Sequence, residues 1–200
     1  MKKLVLPLII LAALALITWQ FFCKGSDKQA QQEEKQQPLA IKANSDPFNQ
    51  SFSQLLNAYY ALKDALVDSD TAKASAAALT LAAATDSLKV NEIQGDSTGV
   101  IRETAINFSG TIKSSAEALA AESGLKAKRR EFEMIADALW SLTRTVQFGG
   151  EKVYWQYCPM AFNNKGAYWM SNKREIKNPY FGSEMLNCGS VEDSLDYSQQ

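Results

Sequence analysis

The chain has 200 residues, 21 Lys and Arg against 22 Asp and Glu, and no histidine. Near-neutral charge with no basic patch or aromatic–basic interleaving argues against a nucleic-acid partner. The lack of histidine removes Ser-His and Cys-His catalysis, and no carboxylate pair stands apart from the solvated acids, so an enzyme is not expected.

The N-terminus, "MKKLVLPLIILAALALITWQFFCKGS", places Lys2 and Lys3 before an uncharged run from Leu4 to Phe22. Such a run is long enough to span a bilayer as a helix. Trp19, Phe21 and Phe22 suit an interfacial collar, and the lysines should stay inside. Residues 1–23 are therefore expected to form an N-terminal transmembrane helix rather than a cleaved signal peptide. The expected location is a bacterial inner membrane, single-pass, with the domain in the periplasm. Phe22 and Gln20 do not make a lipobox, so Cys23 reads as a free thiol at the membrane surface.

Residues 24–45 are Gln-rich and polar, which fits a linker. Residues 46–150 read as four amphipathic helices. Asp46-Pro47 looks like a cap followed by proline at the first helical position. Phe52, Leu55, Leu56, Tyr59, Leu62 and Leu66 recur at helical spacing. "DSD", Asp68 to Asp70, separates that helix from an alanine-rich one over Thr71 to Leu88. Ala74, Ala78, Leu81 and Leu88 are its expected inner face.

After the loop Asn91 to Gly99, the stripe Ile101, Ala105, Phe108, Ile112, Ala116 and Leu119 marks a third helix. Beyond "ESG", Glu122 to Gly124, the stripe Leu125, Phe132, Ile135, Leu139, Leu142 and Val146 marks a fourth. Gly149-Gly150 is the expected stop. Arg129 and Arg130 read as a solvated face. Short connections favour antiparallel neighbours, hence a mainly α, up-down four-helix bundle.

Residues 151–200 differ in texture. "VYWQYC" and "AYWMS" read as two strands joined through the turn "NNKG", a small β-hairpin and loop subdomain. Ser183 is expected to cap a short helix through Cys188, stopped by Gly189.

This region gathers the sulfurs. If Cys158-Pro159-Met160 is extended, the side chains of Cys158 and Met160 point the same way. If Met185 and Cys188 share a helical turn, they share a face. Cys158, Met160, Met185 and Cys188 would then offer two thiolates and two thioethers, a soft set that selects Cu(I) or Ag(I) over hard ions. A tryptophan face from Trp155 or Trp169 could lean on the bound cation, and Met170 is a fifth candidate sulfur. The alternative is a Cys158–Cys188 disulfide, permitted in an oxidising compartment, with the methionines as packing. It would close a loop of about 30 residues, for roughly 3–4 kcal/mol by chain entropy. Without a C-x-x-C motif a thiol redox enzyme is not favoured.

At these residues a resemblance enters. "NAYYALKDALVD", Asn57 to Asp68, and the tail "VYWQYCPMA…GAYWMS…EIKNPYFGSEMLNCG" resemble a family of exported bacterial domains of unknown function, over residues 48–195. The module also looks like the C-terminal extension of some periplasmic adaptor subunits of copper/silver efflux systems. Cys158, Met160, Met185 and Cys188 match the sulfurs of the family's C-P-M and M-L-x-C-G elements. Gly166, Trp169, Asn178, Pro179, Tyr180, Phe181, Gly182 and Gly189 match its turn and aromatic positions. The resemblance implies a role in handling Cu(I) or Ag(I), with a copper efflux or other envelope protein as partner. The adaptor's own hairpin, lipoyl-like and barrel portions are not recognisable here, so an accessory protein is expected rather than the adaptor. The competing expectation is a disulfide-stapled interaction module without metal.

Overall fold

The computed structural model describes residues 44–198. The expected transmembrane helix, Cys23 and the linker up to residue 43 lie outside the described residues. Among the described residues, no helix is long and apolar enough to cross a membrane.

Four long helices run in succession: α1 Asp46–Val67, α2 Thr71–Asp86, α3 Val100–Ala121 and α4 Leu125–Val146. Consecutive helices are packing neighbours, as the short connections require. The expected stripes point inward. Phe52, Leu55, Leu56, Tyr59, Leu62 and Leu66 of α1 and Phe132, Ile135, Leu139, Leu142 and Val146 of α4 are fully buried. Each large apolar side chain so placed contributes on the order of 1.5–3 kcal/mol. Alanines 74 and 78 of α2 are also fully buried, which lets α2 sit close to its neighbours.

The helix ends differ in detail from the expectation. Ser45, not Asp46, caps α1: its hydroxyl accepts the Phe48 N–H at 3.3 Å, and Pro47 lies in the first turn. The Asn44 side chain donates to Val146 O at 2.7 Å, so the last two residues of the expected linker belong to the bundle. Asp70 caps α2 through the Lys73 N–H at 2.9 Å. Lys128 is buried, and its ammonium donates to Leu119 O at 2.8 Å and to Ser75 Oγ at 2.6 Å, closing the C-terminal end of α3. Desolvation holds its pKa below the usual lysine range.

The α4 helix stops at Gln147, which is left-handed at φ 47°, before the glycine pair expected to stop it. The glycine at 150 serves packing instead. A Cβ there would lie 2.1 Å from Cζ of Phe148, and that ring stacks on Phe52 at 4.6 Å.

Beyond the bundle, β1 Val153–Cys158, β2 Ala167–Ser171 and β3 Ser190–Leu195 form an antiparallel sheet in the order β2-β1-β3. The hairpin β1–β2 follows the expectation; β3 adds a third strand beyond it. β2 packs on α4, and the Met170 N–H donates to the Tyr59 phenol at 3.0 Å. The central strand β1 thus ends with Cys158 beside the bundle's C-terminal appendage.

Candidate functional site

Side chains alternate along a strand, so Gln156 and Cys158 share one face of β1. Trp169 and Ala167 stand opposite them on β2. Residues 172–189 cover that face. Gln156 Nε2 donates to the carbonyls of Lys173, Arg174 and Glu175 at 2.9–3.2 Å. Pairing of Tyr157 with Ser190 on β3 brings the chain just before β3 past the end of β1. Cys188 therefore meets Cys158. Their sulfurs are 3.4 Å apart, both cysteines are free thiols, and Cys158 is fully buried while Cys188 is partly exposed.

Polar pins hold this arrangement. Asn178 is fully buried and uses both ends of its amide. Nδ2 donates to Cys188 O at 2.8 Å, and Oδ1 accepts the Tyr180 N–H at 2.8 Å. Its backbone N–H donates to Leu186 O at 2.8 Å, and its carbonyl accepts the Gly182 N–H at 3.0 Å. Arg129 does not lie on a solvated face. It donates through Nε to Pro179 O at 2.7 Å, and through Nη2 to Leu66 O at 3.3 Å and Ser69 Oγ at 3.2 Å. One guanidinium so joins α4, the C-terminal end of α1 and the covering loop. Arg130, the neighbour with which it was paired in sequence, is exposed.

Two glycines allow the close approach. Gly189 has φ +145°, and a Cβ there would stand 2.6 Å from Tyr157 O and 2.9 Å from Cη2 of Trp169. Gly182 has φ +62°, and its Cβ would meet Val67 O and Ser69 Oγ, each at 2.7 Å. Any larger residue would push the loop off β1 or off α1.

The thioethers are placed differently from the expectation. β1 ends at Cys158, and Met160 sits in a turn at φ −89°, ψ −10°, 44 % exposed. Proline 159 ends the ladder, so Cys158 and Met160 do not share one extended face. The expected helix through Cys188 is only a 3-10 turn, Gly182–Glu184; Met185 has left it at φ −145°. A separate turn, with the Cys188 N–H donating to Met185 O at 3.0 Å, leads on to the thiol. Met160 and Met185 nevertheless converge: both line a groove of about 410 Å³ with Phe162, Phe181, Tyr180 and Arg129. Met170, the fifth candidate, is fully buried in the core.

The turn between Met160 and β2 is strained. Phe162, Asn163 and Asn164 are left-handed in succession, at φ 51°, 61° and 66°. That conformation costs roughly 1–2 kcal/mol per residue, least for asparagine. Its result is to seat the Phe162 ring edge-on against Tyr180 at 5.3 Å in the groove. Strain of this kind is retained where the surroundings over-determine it.

Of the two expected tryptophans, Trp155 is stacked on Trp140 at 4.7 Å and on Tyr168 at 5.1 Å, whereas Trp169 is buried on the Cys158 face of the sheet, T-shaped to Tyr180 at 6.0 Å.

Electrostatically, the Cys188 thiol is pushed up by its hydrogen bond with Cys158 and by desolvation. Burial raises the Tyr180 phenol well above its ordinary value, helped by Tyr59, Glu133, Asp137 and Cys158. That phenol donates to Tyr168 O. Both groups are therefore protonated at neutral pH. Among the described residues, no group of three or more Cys, Asp or Glu side chains is placed to hold a metal ion. A metal that needs more than two ligands at the thiol pair would have to draw on thioethers or on an incoming ligand.

Sequence reasoning missed the pinning by Arg129 and the left-handed Phe162. The asparagine pair at 163–164 was a usable turn signal, since asparagine tolerates that conformation; nothing at Phe162 announces it.

No curated protein and no solved structure matches the chain. Residues 55–149 match the model of the family described as protein of unknown function (DUF3347). The match begins within α1, takes in the rest of the bundle and ends ahead of β1, so the sulfur-bearing tail lies outside it. Over residues 55–149 the chain carries a domain of this family of unknown function.

Proposed function

We propose that the protein is a membrane-anchored periplasmic accessory protein that binds Cu(I) or Ag(I) at Cys158 and Cys188 and buffers it or hands it to an envelope partner such as a copper efflux component. The observation that carries this is the 3.4 Å separation of two free thiols. Two thiolates on one metal ion, at bonds near the zinc–thiolate length of about 2.3 Å, lie about 3.8 Å apart in tetrahedral geometry and about 4.6 Å apart in linear geometry. The pair would have to open by about 0.4 Å for the first and about 1.2 Å for the second. Closing it to a disulfide of about 2.05 Å takes about 1.3 Å.

Two thiolates with thioether neighbours make a soft donor set, and soft donors select monovalent copper and silver. Met160 and Met185, in the adjoining groove, are the thioethers available to extend that set or to receive the ion on its way in. No turnover is involved. Transfer proceeds by ligand exchange between sulfurs, and the partly exposed Cys188 is the sulfur a partner reaches first.

Anaerobic titration of the reduced full-length chain with Cu(I), against a chromophoric chelator, tests the proposal. The expected result is one ion per chain, with affinity reduced at least about 100-fold in the Cys158→Ser, Cys188→Ser double variant, equivalent to about 2.7 kcal/mol. Equal competition by wild type and double variant would refute it.

A further inference from the structure

We infer that Cys158 and Cys188 form a reversible dithiol–disulfide couple, and that its disulfide form is closed to Cu(I). This gating rests on the metal-binding function proposed above, although formation of the disulfide does not. The sulfurs already touch, and the backbone that carries Cys188 is fixed by Asn178 while β1 fixes Cys158. The remaining approach is about 1.3 Å. The two thiols also differ in access, because Cys158 is fully buried and Cys188 is partly exposed. That asymmetry sets the order of events.

The oxidant is a disulfide-bearing compound, either a small molecule or an exported oxidoreductase. Cys188, as thiolate, attacks one sulfur of that disulfide. A mixed disulfide forms and the first thiolate of the oxidant leaves. Cys158 then gives up its proton and attacks Cys188 Sγ, and the second thiolate leaves. Two protons released by the chain's thiols neutralise the two departing thiolates. The chain loses two electrons and the oxidant gains them. In the product neither sulfur can act as a thiolate, and only the thioethers Met160 and Met185 remain as soft donors at the site.

The test uses the full-length chain with Cys23→Ser, so that two thiols remain. It is equilibrated anaerobically in glutathione mixtures of varied oxidised-to-reduced ratio. Free thiols are counted by alkylation and mass, small thiols are removed, and each sample is titrated with Cu(I). The expected result is a fall from two free thiols to none that reverses with the ratio, with Cu(I) affinity falling at least about 100-fold in step. Cys158→Ser should accumulate the mixed disulfide with glutathione, because the resolving sulfur is gone. Cys188→Ser should not, because the sulfur left is buried. Circular dichroism checks that both variants are folded, and either one suffices to test the order of attack.

Absence of a disulfide at every ratio, in a chain that binds Cu(I) when reduced, overturns the inference and leaves the proposed function standing. Equal Cu(I) affinity in the two forms overturns the gating. Failure of both forms to bind Cu(I) overturns the proposed function and the gating with it.

Discussion

The bundle and the sulfur-bearing tail are built on opposite economies of interaction. The four helices are held by continuous apolar stripes, with fully buried residues along α1 and α4 and small alanines along α2. No single polar contact defines that arrangement. The tail buries apolar residues too, Trp155, Trp169, Met170 and Tyr180 among them, but the loop that carries Cys188 is located by point contacts: the amide of Asn178, the guanidinium of Arg129 and the missing side chains at Gly182 and Gly189. The tail even sustains three left-handed residues in a row. The difference teaches that the bundle supplies stability and the tail supplies position. Stability and sulfur geometry should therefore respond to different substitutions.

The largest expected effect breaks the platform. Phe132, fully buried, stacks on Tyr59 of the bundle at 5.3 Å and meets Tyr180 of the tail at 5.8 Å. Phe132→Ala should cost roughly 3–5 kcal/mol in chemical unfolding. Asn178→Ala should cost less, about 1–3 kcal/mol, because it leaves Cys188 O and the Tyr180 N–H without their partners. Its effect on the thiol pair should be the larger one, seen as a fall in Cu(I) affinity in chelator competition while far-ultraviolet dichroism stays unchanged. If Asn178→Ala lost stability and kept its copper affinity, the division of labour between bundle and tail would fail.

A smaller change goes the other way. Asn164→Gly relieves a left-handed residue whose N–H donates to Met160 O at 3.3 Å, and should raise the unfolding free energy by a few tenths of a kcal/mol up to about 1. The smallest effect is electrostatic. The folded-state pKa of Cys188 is raised, so its contribution to stability is fully present below the unfolded thiol value. It is lost as pH rises through the raised value. Tyr180, raised further still, extends the loss to more alkaline pH. Urea midpoints measured from neutral to alkaline pH should fall, and replacing Cys188 by serine should remove the first part of that fall. If the thiol pair takes Cu(I) as proposed, binding displaces the Cys188 proton, so apparent affinity should rise with pH over the range below the raised Cys188 value.

The bundle was legible because its signal is periodic. The stripes of all four helices step by three, four or seven residues, and burial followed them, with Phe108 and Leu125 only partly buried. Helix ends were less legible. Ser45 and Asp46 are both capping types, and Gly149-Gly150 resembles a stop although Phe148 needs the space. In the tail, strands β1 and β2 carry β-branched and aromatic residues, whereas β3, "SVEDSL", is acidic and polar, as suits an edge strand.

The sulfurs were picked out by residue type, but their placement depends on contacts distant in sequence. The carbonyl partners of Arg129 lie 50 and 63 residues away, so nothing local distinguishes it from its solvated neighbour Arg130. The expected extended C-P-M and the expected helix through Cys188 were local guesses. Both were overruled by the covering loop, which brings the thiols together and sends the thioethers into the next groove.

The most direct test of the thiol pair as a metal centre is copper K-edge X-ray absorption on the Cu(I)-loaded, reduced full-length chain, beside its Cys188→Ser variant. The predicted result is a sulfur-only first shell in the wild type that loses a sulfur neighbour in the variant. A shell of nitrogen or oxygen, or one that the variant leaves unchanged, would contradict it.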